Sequence, residues 1–184
     1  MNFKNAVEHF KTITRHRHQV MKNCFRAGIP WQGLLHDLSK YSPAEFLVGV
    51  KYYQGTRSPN IAEREQNGYS SAWLRHKGRN KHHYEYWFDN DAKTLTIQPV
   101  EMPVNYVVEM FCDRIAASKI YKKDTYNNRV PLEYFNSYDY QAAMHPATRE
   151  QLCTLLTMLA EKGERKTYKY IRKLIRDAKR ELRK

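Results

Sequence analysis

The 184-residue chain is predicted to fold as an all-α bundle, and three observations carry that prediction. Apolar residues recur at three- and four-residue spacing over long stretches, which is the period of a helix face rather than of a strand. Only 7 Gly and 7 Pro are present, and they fall mainly between those stretches instead of inside them. The length is that of a single domain with enough chain to bury a real core.

Residues 3–27 read as the first helix. Phe3, Ala6, Val7, Phe10, Ile13, Val20, Met21 and Cys24 form its stripe, and Gly28 and Pro30 end it. His9, His16 and His18 lie on this helix, with His16 and His18 on opposite edges of the stripe, so periodicity does not choose between them. A helix over 31–39 carries the adjacent pair His36-Asp37, and Leu34, Leu35 and Leu38 mark that helix as buried. Ser42-Pro43-Ala44-Glu45 reads as a capping box with proline at the first helical position, opening a helix from 43 to about 53. Residues 54–68 are polar, contain Gly55, Pro59 and Gly68, and read as a loop long enough to act as a lid or binding loop.

Residues 69–88 read as a short helix, a break at Gly78 and a second short helix, rich in His, Asn, Arg and aromatic side chains. A turn at 89–93, with Leu95 and Ile97 alternating after it, predicts a small hairpin over 89–98. Pro103 opens a helix to about 121 that is apolar nearly all round and therefore buried, with Asp113 in its middle. Residues 122–145 are polar and tyrosine-rich, with Pro131 starting a short helix. Pro146 opens a helix with Leu152, Leu155, Leu156 and Leu159 on its buried face, ended by Gly163. The last helix, 164–184, sets Tyr168, Ile171, Leu174, Ile175 and Leu182 on one stripe and a dense run of Lys and Arg elsewhere. Residues 1–145 are expected to form a metal-binding helical domain, with 146–184 a C-terminal helical pair packed on it as part of one structural unit.

The formal net charge of +13 implies attraction to phosphorylated substrates, nucleotides or nucleic acid. The basic run at 164–184 reads either as a solvated face or as a nucleic-acid contact. There is no apolar run long enough to span a bilayer and no signal-peptide pattern, so no membrane partner is expected. Cys24, Cys112 and Cys153 are scattered and odd in number. They argue against a disulfide framework and against a zinc–cysteine site, and fit a reducing, cytoplasmic location.

The chemistry-bearing residues come from separate elements. A buried Asp37 needs something to neutralise it, and Lys40 follows one helical turn later. His76, His82 and His83 cluster in the middle of the chain. Asp113, on a buried helix, needs a metal, an arginine or several donors, and Arg114 beside it points elsewhere. A set of N and O donors without thiolate suits one or two divalent ions, Mn, Fe, Mg, Co, Ni or Zn. Against this stand plainer readings: a helix end with a satisfied histidine, aromatic core packing, and a structural salt bridge.

The order of these residues resembles the HD superfamily of metal-dependent phosphohydrolases, whose pattern is H…HD…D. His36-Asp37-Leu38-Ser39-Lys40 looks like its HDxxK core. His16, four residues before Val20, matches the first histidine in its HxxxV setting better than His18 does. Asp113, within Glu109–Ala117, matches the final aspartate. The blocks His36–Phe46, Asn80–Trp87 and Glu101–Ala117 are similar to an uncharacterised HD-like family of bacterial and phage genomes.

The resemblance, over roughly residues 10–120, implies an HD-domain-like helical bundle, to which the residues themselves add a C-terminal basic helix. It makes His16, His36, Asp37 and Asp113 ligands of one ion. His76 with His82 or His83 would serve a second, with Asp37 bridging. Lys40 with Arg75 or Arg79 would hold substrate phosphate, and Glu85 would shuttle a proton. The activity implied is that of a phosphomonoesterase or phosphodiesterase, acting on a nucleotide or other small phosphoester through a metal-activated water. Two other expectations compete: an HD-fold di-iron oxygenase, of which inositol oxygenase is one, and a nucleic-acid-binding helical protein whose site is inactive or structural.

Overall fold

The computed structural model describes residues 2–137 and 143–181. Helix α1 (Phe3–Ala27) has both ends set by sequence: Asn2 accepts from Lys4 N, and Gly28, at φ 85°, closes the last turn. Four short helices follow, α2 (Pro30–Leu35), α3 (Pro43–Lys51), α4 (Pro59–Asn67) and α5 (Ser71–Lys77). A hairpin of β1 (Phe88–Asn90) and β2 (Ile97–Pro99), antiparallel with Phe88 opposite Pro99, leads into α6 (Val104–Lys122). Helix α7 (Val130–Asn136) and the long α8 (Pro146–Glu181) complete the chain. Gly163 interrupts α8 with φ 71° and ψ 169°, so the predicted pair of helices meets end to end at the predicted glycine. Leu182 and the end of the predicted last helix lie outside the described residues, as does the stretch 138–142.

The protein is all-α, with the hairpin its only sheet among the described residues. Helices α1, α6 and α8 supply the core. Val20, Cys24 and Ala27 meet Val107, Phe111 and Ile115, and Leu152, Leu155, Leu156, Leu159 and Ile171 close the other side. Asn23, fully buried, donates to Cys112 O at 3.0 Å and ties α1 to α6. Glu164 accepts from Arg26 at 2.5 Å and from Lys119 at 2.6 Å, joining the second half of α8 to both. No helix among the described residues is long and apolar enough to cross a membrane.

Several expectations are corrected. The helix predicted over 31–39 ends at Leu35; His36 leaves it extended (φ −53°, ψ 128°), Asp37 is left-handed (φ 53°), and Leu38–Tyr41 form a 3₁₀ turn. Leu35 and Leu38 are 65% and 48% exposed, so they do not bury this segment. The stretch 54–68 is not all loop: Pro59 at the first helical position and left-handed Gly68 bound α4, leaving only a short connection before it. The second short helix near 80–87 shrinks to a 3₁₀ turn, Tyr84–Tyr86. Ser42 does begin α3, but its side chain makes no cap, and Glu45 is turned inward to a histidine.

Candidate metal centre

Asp37 is the hub. Consecutive residues of a helix point about 100° apart, and the break after α2 removes that restriction. The left-handed turn at Asp37 lets its carboxylate and the imidazole of His36 approach to 3.2 Å. A non-glycine residue in this region costs of order 1–3 kcal/mol, and aspartate tolerates it better than most.

Around Asp37 the side chains divide between its two oxygens. Oδ2 faces His36 Nε2 at 3.2 Å and His16 Nε2 at 3.9 Å. Asp113 Oδ1 closes that side, 2.9 Å from His16 Nε2 and 3.7 Å from His36 Nε2. Oδ1 faces His76 Nε2 at 3.2 Å and His82 Nε2 at 3.5 Å, with His83 stacked on His82 at a ring separation of 4.1 Å. Two groups that could hold an ion meet at Asp37, His16, His36, Asp37 and Asp113, and Asp37, His76, His82 and His83, and a third, His36, His82 and Glu109, lies beside them, each with its donor atoms within 4.8 Å of one another. Asp37 belongs to the first two.

Two further carboxylates fix which nitrogen faces inward. Glu109 Oε1 lies 2.9 Å from His36 Nδ1 and 3.2 Å from His82 Nδ1. Burial works against its ionisation, yet the hydrogen bonds from His36 and His82 bring the Glu109 carboxyl down to about 2. An ionised carboxylate only accepts, so both Nδ1 atoms carry N–H and donate to it. Nε2 is then the nitrogen that faces Asp37, and it presents its lone pair to an ion there once its proton is lost. Glu45 Oε2 accepts from His76 Nδ1 at 2.8 Å in the same way. Carboxylate braces behind ligating histidines of this kind set tautomer and ring orientation.

The inward atoms have little but one another. Nε2 of His16, His36, His76, His82 and His83 and both oxygens of Asp37 are buried, and the close polar neighbours of this set are its own members, Asp113 and Lys40. Lys40 Nζ, 2.6 Å from Asp37 Oδ2, balances part of the charge as an ion pair. Imidazole nitrogens and carboxylate oxygens brought together on one buried point are the donors that divalent ions take. This donor set could hold a metal ion.

The charges support one another. Burial alone would lower His36, but Asp37, Asp113 and Glu109 hold it well above its ordinary range. Burial would raise Asp37, but His36, Lys40 and His76 hold it well below. Burial lowers His16, against the pull of Asp113, and burial with the charges of His82 and His76 lowers His83 well below its usual value.

Of the predicted site residues, His16, His36, Asp37, Lys40, His76, His82, His83 and Asp113 come together. His18 does not join them, so structure makes the choice that periodicity left open. Arg75 and Arg79 are exposed. Arg79 N donates to His76 O at 3.1 Å, but no side-chain hydrogen bond or ion pair among the described residues joins Arg75, Arg79 or Glu85 to the cluster. Burial raises the Glu85 carboxyl, with Lys77, Arg114 and Arg64 as its charged neighbours. The expected basic face is present on α8, where Arg165, Lys166, Lys169, Lys173 and Arg176 are exposed.

Sequence reasoning missed Glu109 and Glu45. Glu109 had a signal: it stands four residues before Asp113 on a buried helix, so both fall on one face. Glu45 had none, since its spacing from Ser42 points to a cap.

Neither the curated proteins nor the solved structures gave a match. A family model does match, over residues 5–158, and that span takes in every residue of the cluster. The chain therefore belongs to a family of unknown function, DUF5662.

Proposed function

We propose that the protein is a metal-dependent phosphohydrolase of the HD type, holding two divalent ions that share Asp37. The observation carrying this reading is the convergence of four imidazole Nε2 atoms, of His16, His36, His76 and His82, on the two oxygens of one buried aspartate, with Glu109 and Glu45 bracing three of the rings from behind. A donor set this rich in imidazole favours Mn, Fe, Co, Ni or Zn over Mg. Bound divalent ions would supply Lewis acidity toward a phosphoryl oxygen and a nucleophilic water near neutral pH.

The chain's own residues supply the rest. Lys40 stays charged: burial would lower its ammonium, but Asp37 and Asp113 more than reverse that. At 30% side-chain exposure it reaches from Asp37 toward solvent, where it meets the phosphate of an arriving ester. The overall positive charge draws anionic substrates to it.

Metal analysis of the purified protein, paired with turnover of phosphomonoesters and phosphodiesters in Mn, Fe, Co, Ni and Zn, tests the reading. His36→Ala and Asp37→Ala are expected to lose bound metal and to drop turnover by at least about a hundredfold. Full metal content in both variants would remove the site assignment. Metal-loaded protein that cleaves no phosphoester but changes its iron spectrum with oxygen would move it to the oxygenase class.

A further inference from the structure

A cavity of about 80 Å³ lies beside the cluster, between α1, α3 and the connection into α4. Lys40 and His76 line it while touching Asp37, so it opens on the atoms proposed to meet the phosphoryl group. Away from that end its wall carries hydroxyls, among them Thr12, Tyr53 and Tyr121.

The hydrogen bonds already present say what this wall lacks. Thr12 Oγ1 donates to Glu8 O at 2.9 Å and lies 3.0 Å from Tyr53 OH. With the threonine proton committed, Tyr53 donates to Thr12, and the phenol oxygen keeps a lone pair for a ligand O–H. A phosphate oxygen, which only accepts, is not what that atom seeks. Arg57 at the rim is occupied, both terminal nitrogens 2.6 Å from the Glu65 carboxylate and Nε 2.7 Å from Gln54. It offers no second phosphate site. Glu45, the wall's carboxylate, gives Oε2 to His76, and its buried Oε1 is left as a second acceptor that suits a ligand O–H and not a phosphate oxygen.

Size narrows the ligand further. A cavity of about 150 Å³ holds one benzene, so the roughly 80 Å³ here encloses only part of a glycerol-sized group, and a nucleoside, which carries a base as well as its sugar, stays outside. A fragment of a few heavy atoms enters.

We propose that this cavity receives the leaving group of the phosphoester, and that it selects short hydroxylated alkyl phosphates, of the glycerol phosphate class, over nucleotides. The inference rests on the phosphohydrolase reading. Lys40 and the cluster hold the phosphoryl end, and Tyr53 accepts a hydrogen bond from a hydroxyl two or three atoms along the chain.

The test uses metal-loaded protein with four esters: glycerol phosphate, propyl phosphate, adenosine monophosphate and 4-nitrophenyl phosphate. Glycerol phosphate is expected to exceed propyl phosphate in kcat/KM by about tenfold, the worth of one buried hydrogen bond, and to exceed the nucleotide as well. Tyr53→Phe is expected to raise KM for glycerol phosphate by about tenfold, to erase the preference over propyl phosphate, and to keep full metal content. Equal kcat/KM for glycerol and propyl phosphates on the unaltered protein, or a preference for the nucleotide that Tyr53→Phe leaves in place, overturns the inference while the phosphohydrolase reading stands. Failure of metal-loaded protein to cleave any of the four removes that reading and the inference with it.

Discussion

Glu109 decides which nitrogen of two histidines faces Asp37, and it does so as a negatively charged acceptor with His36 and His82 on the same oxygen. Glutamine in its place has one oxygen to accept and an amide that donates. With its oxygen kept toward the two imidazoles, its amide meets the donor Gln32 Nε2, which is 2.8 Å from Glu109 Oε2; with the amide toward them, both imidazoles face a donor across Nδ1 and turn their protons to Nε2, the atom that points at Asp37. Glu109→Gln is therefore expected to weaken metal binding by about 10–100-fold, the usual effect of removing such a brace. Competition with a chelator of known affinity measures it, and the far-ultraviolet circular dichroism should match the parent. Unchanged affinity would mean that His36 and His82 are oriented by packing alone.

The short helix α2 owes its position to Gly33, and the cluster owes its geometry to α2. A Cβ on Gly33 would fall 2.6 Å from Cys24 Cβ, 3.2 Å from Met21 Cα and 3.3 Å from Met21 O, so it would meet the α1 backbone, which cannot give way. Gly33→Ala must push α2 outward and carry His36 and Asp37 with it. The expected cost is about 1–3 kcal/mol of overpacking, seen as a drop of several degrees in Tm together with weaker metal binding; loss of neither would show that the two helices can separate freely. None of this closeness was legible in the residues. The pair His36-Asp37, Lys40 beyond it, His16 and Asp113 could be read from their types and order, and the long helices from their period. The break at Asp37 could not, because Leu34, Leu35 and Leu38 continue a helical pattern although two of them face solvent. Helix α4 was hidden by polar composition: only Ala62 and Glu63 are buried in it, and Glu63 is spent accepting from Ser70 and Ser71 at the start of α5. Short helices held by such local hydrogen bonds leave almost no hydrophobic period to detect.

The cluster draws on five separated parts of the chain: α1 through His16, the end of α2 through His36 and Asp37, α5 through His76, the turn before the 3₁₀ segment through His82 and His83, and α6 through Asp113. The apolar core, by contrast, is concentrated in α1, α6 and α8, while α3, α4 and α5 bury only Val50, Ala62 and Ala72 outside it among the described apolar residues. The short helices therefore depend on the polar centre for much of their attachment. An ion bound there links them to the long ones, and an ion that binds only the folded chain stabilises it by mass action. At a free concentration a hundred times the Kd this amounts to about 2.7 kcal/mol per site. For a chain of this length each kcal/mol moves Tm by about 2–4 °C. Stripping the metal with chelator is thus expected to lower Tm by roughly 5–10 °C for each ion removed, and adding it back should restore the loss. In Asp37→Ala, which lacks the residue shared by both ligand groups, chelator should leave Tm where it was. A full-sized chelator effect surviving in that variant would place the stabilising ion somewhere other than the His36–Asp37 centre.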